Sequence, residues 1–268
     1  MTVHKALEKL GNSFQSRPAT LAENGSSSLP AWPEKARGAP NILLRSALFS
    51  ASRTGRAYLQ CAEIYSQGST SMSYTGARLN QSDHDIWLTL LHLCRHDPNS
   101  PVYTTAYELL QYQKKTDTGA NRRTLYSGLA RLNATGLEVR HLERTYMGSL
   151  VEEVFRDDET HRLVIALNPR LIALFSHSGI SYLNWEVRRL LASKPLAQWL
   201  HGYFSTHKKP YPIRAKTLLE MAGSNDRSDA SGEQNLVRAL EALKEASTAG
   251  RQKFEYKIDD GKVIVRRL

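Results

Sequence analysis

The sequence predicts an α+β protein in which one helical unit closed by a β-hairpin is used twice, behind a flexible N-terminal tail. Three observations predict it. The stretch Leu183–Leu268 runs helix, helix, a short extended segment, a short helix, a Gly/Ser/Asp-rich turn, a long amphipathic helix and a hairpin. The same order of parts recurs between about Gln81 and Leu167. Residues Ser16–Pro40, by contrast, are rich in Ser, Pro, Gly and Ala and poor in large hydrophobes, a composition that cannot bury enough surface to offset chain entropy. The order of parts is that of a winged helix. The expected division is therefore a mostly disordered tail over 1–40, a first winged-helix domain over 41–178 and a second, DNA-binding one over 179–268.

Each element has a local cause. Trp32, between Pro30 and Pro33, either docks on the body or sits exposed. Arg45–Phe49 and Leu59–Tyr65 are apolar-rich, and Met72–Gly76 reads as a short strand. Ser82 is placed to cap a helix over Asp83–Arg95, with Ile86, Leu90 and Leu93 on its inner face. Val102–Thr104 is extended, and Ala106–Tyr112 is the next helix. Asn121 is placed to cap a helix to Asn133, with Leu125, Leu129 and Leu132 inward and Arg123 and Ser127 outward, flanked by Tyr126 and Arg131. Strands at Leu137–His141, Tyr146–Phe155 and Arg162–Leu167 make the wing, and Leu171–Phe175 is a connecting helix.

In the second unit, helices are expected through Trp185–Leu191, Pro195–Thr206 and Lys216–Met221. The long helix, ending near Ser247, divides in the same way as its counterpart. Leu236, Leu240 and Leu243 face inward, while Gln234, Arg238, Glu241 and Glu245 lie outside with Ser231 and Asn235 close by. Its first turns carry hydrogen-bonding groups and its far end is acidic, the polarity of a helix that enters a major groove N-terminus first. In the hairpin Gln252–Ile258/Lys262–Arg267, Phe254, Tyr256 and Ile258 alternate with Lys253, Glu255 and Lys257, giving a core face and a solvated face.

The net charge of +10 suits a polyanionic partner, and +6 of it lies in the last 86 residues. Arg, Asn and Gln make paired hydrogen bonds to purine edges, so Arg238, Gln234 and Asn235, with Arg123 in the first unit, are the base-reading candidates. Ser231, Ser127, Arg122, Arg131 and Arg227 complete the two helical faces. Lys208, Lys209, Lys253, Lys257, Arg266 and Arg267 are cast as phosphate contacts, which set affinity without reading sequence. The partner expected from these residues is double-stranded DNA, held at two adjacent places.

Catalytic and cofactor signals are sparse. The chain has no GxxxxGK[ST], GxSxG, HExxH or GxGxxG, and no His-x-His to hold the metal of a tyrosine-dependent nicking enzyme. Cys61 and Cys94 form no CxxC, and on a helix Cys94 points away from the face shared by His92 and His96. No catalytic residue, metal or cofactor is expected. No run reaches the ~20 apolar residues of a membrane span and no signal-like segment opens the chain, so a cytoplasmic protein is expected.

Several short segments carry a resemblance in the same order along the chain. Leu29–Trp32, Gly38–Asn41, Arg45–Phe49, Leu59–Ile64, Tyr74–Gly76, Tyr107–Leu110, Leu171–Phe175, Trp185–Leu191 and Tyr203–Pro212 resemble the TrfA family of plasmid replication initiators. The resemblance implies a bacterial protein that binds directly repeated iterons at a plasmid origin and helps open an adjacent AT-rich segment. It also implies contacts with AT-rich single-stranded DNA and with host helicase, initiator and sliding clamp, plus a monomer–dimer equilibrium that controls copy number. Leu48-Phe49 resembles the Leu-Phe ending of the family's clamp peptide; its alternative is a pair of core residues. Where the family has a more basic turn, this chain has Asp226, Asp229 and Glu233, so base preferences are not carried over. Without the resemblance, a tandem winged-helix transcriptional repressor, autoregulatory or not, fits the same residues.

Overall fold

The computed structural model describes residues 29–52, 56–68, 70–141, 143–168, 179–224 and 229–267, a mixed helix-and-sheet architecture. The expected tail over 1–28, the helix at Leu171–Phe175 and Arg227 lie outside these residues.

The body starts before residue 41, which corrects the tail over 29–40. Strand β1 (Ala36–Pro40) pairs antiparallel with β9 (Ile180–Asn184), and Leu29 and Trp32 are buried. Two side chains anchor this polar segment. The Trp32 indole N–H donates to His92 Nδ1 at 3.0 Å, and Glu34 pairs with His92 Nε2 at 2.9 Å and with Arg95. The Trp32 ring lies so close to Gly38 that a Cβ there would stand 2.8 Å from ring carbons. One aromatic docking event thus orders a segment whose average composition argues against order.

A short helix α1 (Asn41–Leu44) leads into Arg45–Phe49, where Leu48 and Phe49 are each 2% exposed. Phe49 stacks on His84 with centroids 4.3 Å apart. The clamp-peptide expectation for Leu48-Phe49 is corrected accordingly: in this fold the pair fills the core, because its apolar surface is worth more buried than displayed.

Helix α2 (Gln81–Leu93) begins two residues earlier than a Ser82 cap would set it. Asn80 is its cap, accepting from the N–H groups of Ser82 and Asp83, while Asp83 accepts from the Asn80 N–H. Strand β4 (Val102–Thr105) and helix α3 (Ala106–Tyr112) follow, the latter with its own capping box of Thr105 and Glu108. Helix α4 (Gly119–Asn133) is capped by Thr118 rather than Asn121, and buries Leu125, Leu129 and Leu132 as its spacing requires.

The run Tyr146–Phe155 is two strands, not one. Strand β6 (Arg144–Gly148) belongs to a four-stranded sheet with β2 (Tyr58–Ile64), β3 (Thr70–Ala77) and β5 (Gly136–His141), in the order β2-β3-β5-β6. Strand β7 (Val151–Arg156) pairs with β8 (Arg162–Leu167) in a separate sheet, order β4-β8-β7. The corner is pinned by the fully buried Leu150, whose N–H donates to Thr135 Oγ1 at 2.9 Å, and by the Tyr146 hydroxyl donating to the Ser149 carbonyl at 2.8 Å.

After β9 come α5 (Trp185–Leu190), α6 (Pro195–Ser205), β10 (Ile213–Arg214), α7 (Ala215–Met221), α8 (Asp229–Ala249), β11 (Phe254–Asp259) and β12 (Lys262–Arg267). Their sheet has the order β10-β12-β11. In both halves, then, the strand after the first helix pairs with the second strand of the closing hairpin, and two helices intervene. The first half differs by the inserted hairpin β5–β6. Two hydrophobic cores match the halves, but the chain crosses between them: Leu183 and Trp185 belong to the first core and Ala51 to the second.

Candidate nucleic-acid interface

The outer faces of α4 and α8 are the surfaces on which the base-reading candidates sit. Along α8, Leu236, Leu240 and Leu243 are buried, and Ala239, Ala242 and Ala246 complete the inner stripe. Small alanines let this face lie close to α6 and α7. That leaves Ser231, Gln234 and Arg238 exposed on the N-terminal half, with Asn235 half-buried beside them. Arg238 Nη1 lies 3.4 Å from Asn235 Oδ1, which brings these two side chains together. Further along, the Tyr256 hydroxyl donates to Glu241 Oε2 at 3.0 Å, drawing that carboxylate toward the hairpin.

On α4, Arg123 and Ser127 are exposed, one turn apart, as expected. Two neighbours are not free as the helical wheel suggested. Arg131 turns inward: its guanidinium bonds the fully buried Asp83 at 2.7 Å and 3.2 Å. Asp83 also takes Arg56 at 2.6 Å, so a carboxylate without solvent is neutralised by two guanidiniums, which desolvation demands. This pair corrects Arg131 from a surface contact to a group that holds α4 on α2. The close approach is completed by Gly128, where a Cβ would stand 2.3 Å from Ile86 Cδ1. Arg122 makes a two-bonded ion pair with Asp117 at 2.6 and 2.7 Å, and this hydrogen-bonded guanidinium lowers the Asp117 carboxyl pKa. Arg156 lies over the Tyr126 ring, 5.0 Å from its centroid, and couples the first hairpin to α4.

The basic residues cast as phosphate contacts are strung along the final hairpin and the segment after α6. Lys257 is exposed toward the hairpin tip, 3.1 Å from Asp259, and the tip abuts the start of α7 through the Ala215 N–H bond to the Gly261 carbonyl. Arg266, opposite Glu255, and Lys253 stand two and four residues further from the tip than Lys257, about 7 and 13 Å away at strand spacing and on the same solvated face. Lys253 lines a small cavity with Ser205 and Phe204 of α6 and Ser247 of α8, a few residues before the exposed Lys208 and Lys209. Arg267 ends β12 opposite Phe254 at the end away from the tip. The core face of β11 also fades toward the tip, for Phe254 is buried but Ile258 is 43% exposed.

Between the two halves lies a buried polar junction that the sequence did not signal. Arg188 of α5 is 1% exposed. Its Nε bonds Asp85 at 2.7 Å, one Nη bonds Gln81 at 2.8 Å and the other the Gln198 carbonyl at 2.9 Å. Gln198 in turn donates to Asp85 at 3.0 Å. Beside it, burial first and the Arg188 charge second hold His84 well below the usual histidine pKa. Direct bonds add to the junction: the Trp199 indole donates to the Ser46 carbonyl at 2.9 Å, and the Ala51 N–H to the Ala222 carbonyl at 2.8 Å. The faces of α4 and α8 are thereby carried on one connected scaffold. No group of three potential metal ligands occurs among the described residues, and none of their helices is long and apolar enough to cross a membrane.

Residues 25–260 match the model of the TrfA protein family, and the chain belongs to that family. A curated relative, the plasmid replication initiator protein TrfA of Escherichia coli, is 28% identical over 223 residues. The overlap covers 80% of this chain and 58% of the relative, so the chain spans under two thirds of that protein's length. Among solved structures, domains 2 and 3 of RctB superpose with a TM-score of 0.54 at 15% identity, covering 84% of this chain and 94% of the other. A second RctB structure of the same domains gives 0.53 at 14% identity, with the same coverage. These likenesses are of fold.

Proposed function

We propose that this chain is a plasmid replication initiator, a non-catalytic protein that binds directly repeated iterons in duplex DNA and promotes opening of the adjacent origin. The observation that carries this reading is the repeat itself. A chain of the TrfA family presents the same helix–strand–helix–helix–hairpin unit twice, with the same sheet order, on a basic scaffold. Each unit is read as a winged helix, the first through residue 168 and the second from α5 onward. Helices α4 and α8 enter successive major grooves, with Arg123 and Ser127 on one and Ser231, Gln234, Asn235 and Arg238 on the other. Lys257 near the tip, with the exposed Arg214 and Lys216 at the start of α7, meets flanking phosphates. Lys253 and Arg266, further along the solvated face of the hairpin, and the exposed Lys208 and Lys209 are the remaining candidate phosphate contacts. Host helicase, initiator and clamp, AT-rich single-stranded DNA and a second copy of the chain are the further partners this reading carries.

The test is DNase footprinting of the purified chain on the noncoding DNA of its own plasmid, with a parallel incubation lacking DNase. Protection of regularly spaced direct repeats beside an AT-rich stretch is expected. Protection of a single inverted repeat over a promoter would replace the initiator by a repressor, and nicks made by the protein itself would overturn the non-catalytic reading.

A further inference from the structure

Helix α8 carries one exposed large apolar side chain among the described residues, Val237, and it stands on the polar face. It is 43% exposed. At the helical repeat it lies about 60° around the axis from Gln234 and about 40° from Glu241, next to Arg238 in sequence. The inner stripe is complete without it, since Leu236, Ala239, Leu240 and Leu243 are buried. A β-branched residue here also costs the helix slightly relative to alanine. Neither packing nor helix propensity accounts for valine at this position.

Its neighbours define what it can meet. Gln234 and Arg238 are exposed hydrogen-bonding groups of the kind that read purine edges, and Glu241 is drawn aside by Tyr256 and by Lys244 at 3.7 Å. An apolar group beside such donors fits the one apolar feature that the major groove displays, the C5 methyl of thymine. Valine suits it better than a longer side chain, because its two methyls hang from a χ1 with a single strongly preferred setting in a helix. We propose that Val237 is a specificity-determining residue that packs on a thymine methyl, in a base pair next to the one that Gln234 contacts. This rests on the reading of α8 as the major-groove helix.

The experiment uses the full chain and a synthetic duplex of the repeat protected in the footprint, with each thymine replaced singly by deoxyuridine, which deletes only the methyl. Binding is measured for the native chain, Val237→Ala and Arg238→Ala. The native chain is expected to lose about fourfold in affinity at one position, the worth of one buried methyl-sized group, and Val237→Ala to bind the two duplexes equally. Arg238→Ala is expected to lose about tenfold or more on the unmodified repeat. Uracil sensitivity that persists in Val237→Ala, or is absent from the native chain while Arg238→Ala still weakens binding, would overturn the role of Val237 alone. No effect of Arg238→Ala would overturn the reading of α8 and this inference with it.

Discussion

Replacing Arg188 by methionine tests whether the polar junction holds the two halves together. The substitution keeps an unbranched stem and most of the volume of the side chain but removes its charge and donors. It leaves Asp85, whose side chain is 15% exposed, without its 2.7 Å partner, and strands the Gln81 amide oxygen. Breaking a buried pair by deleting one member costs about 3–5 kcal/mol, because the remaining charge is desolvated without compensation. Asp85 retains the Gln198 amide at 3.0 Å, so the lower part of that range is expected. Against a total stability of about 5–15 kcal/mol the loss is large. Equilibrium denaturation followed by far-UV circular dichroism and by tryptophan fluorescence measures it, since Trp87 and Trp199 lie in the two different cores. Adding Asp85→Leu to Arg188→Met removes the stranded charge and is expected to restore at least half of the loss. A single variant within about 1 kcal/mol of the native chain, or a double variant no more stable than the single, would refute the assignment of Arg188 as the junction's electrostatic centre.

Acidity should loosen the N-terminal anchor. Burial first, opposed by the hydrogen bond to Glu34 and aided by the Arg37 and Arg95 charges, pushes the His92 pKa down to about 4 from an ordinary 6.5. Because the folded value lies below the unfolded one, stability is full above about pH 6.5 and is lost as pH falls toward 4; between pH 7 and 5 His92 alone removes about 2 kcal/mol. His84 acts in the same direction, and equal denaturation midpoints at pH 7 and 5 would contradict both. Gly38→Ala places a Cβ 2.8 Å from the Trp32 ring and should cost about 1–3 kcal/mol, with trypsin gaining access to the otherwise buried Arg37; unchanged proteolysis would show that β1 does not depend on Trp32. For duplex binding, Lys257→Ala should lower the slope of log affinity against log salt by about 0.9, and Lys253→Ala, about 13 Å further from the tip, should lower it less. The opposite pattern would place the duplex at the far end of the hairpin.

Helical faces were legible because they depend on local periodicity. Leu125, Leu129 and Leu132, and again Leu236, Leu240 and Leu243, lie inward where their spacing put them, and Arg123, Gln234 and Arg238 lie outward for the same reason. Caps were found only approximately. Ser82 and Asn121 are capping residue types, but the backbone geometry selected Asn80 and Thr118 within the same few residues. Val237 was not singled out by the wheel, because only its exposure in the fold distinguishes it. The repeated order of parts was also legible, though the insertion of β5–β6 was not, since the short Gly148-Ser149 break in a strand-like run does not by itself show that the chain changes sheets.

What the sequence determined by itself is therefore the set of local choices: which segments are helices and hairpins, that they recur, that the chain is basic, and which family its segments resemble. Tertiary structure decided the pairings between distant residues. Trp32 with His92, Asp83 with Arg56 and Arg131, Arg188 with Asp85, and the burial of Leu48-Phe49 each join groups far apart in the chain. A charged or aromatic side chain looks the same in sequence whether solvated or buried. Only the three-dimensional partner that offsets its desolvation tells the two apart, and that partner is chosen by the fold.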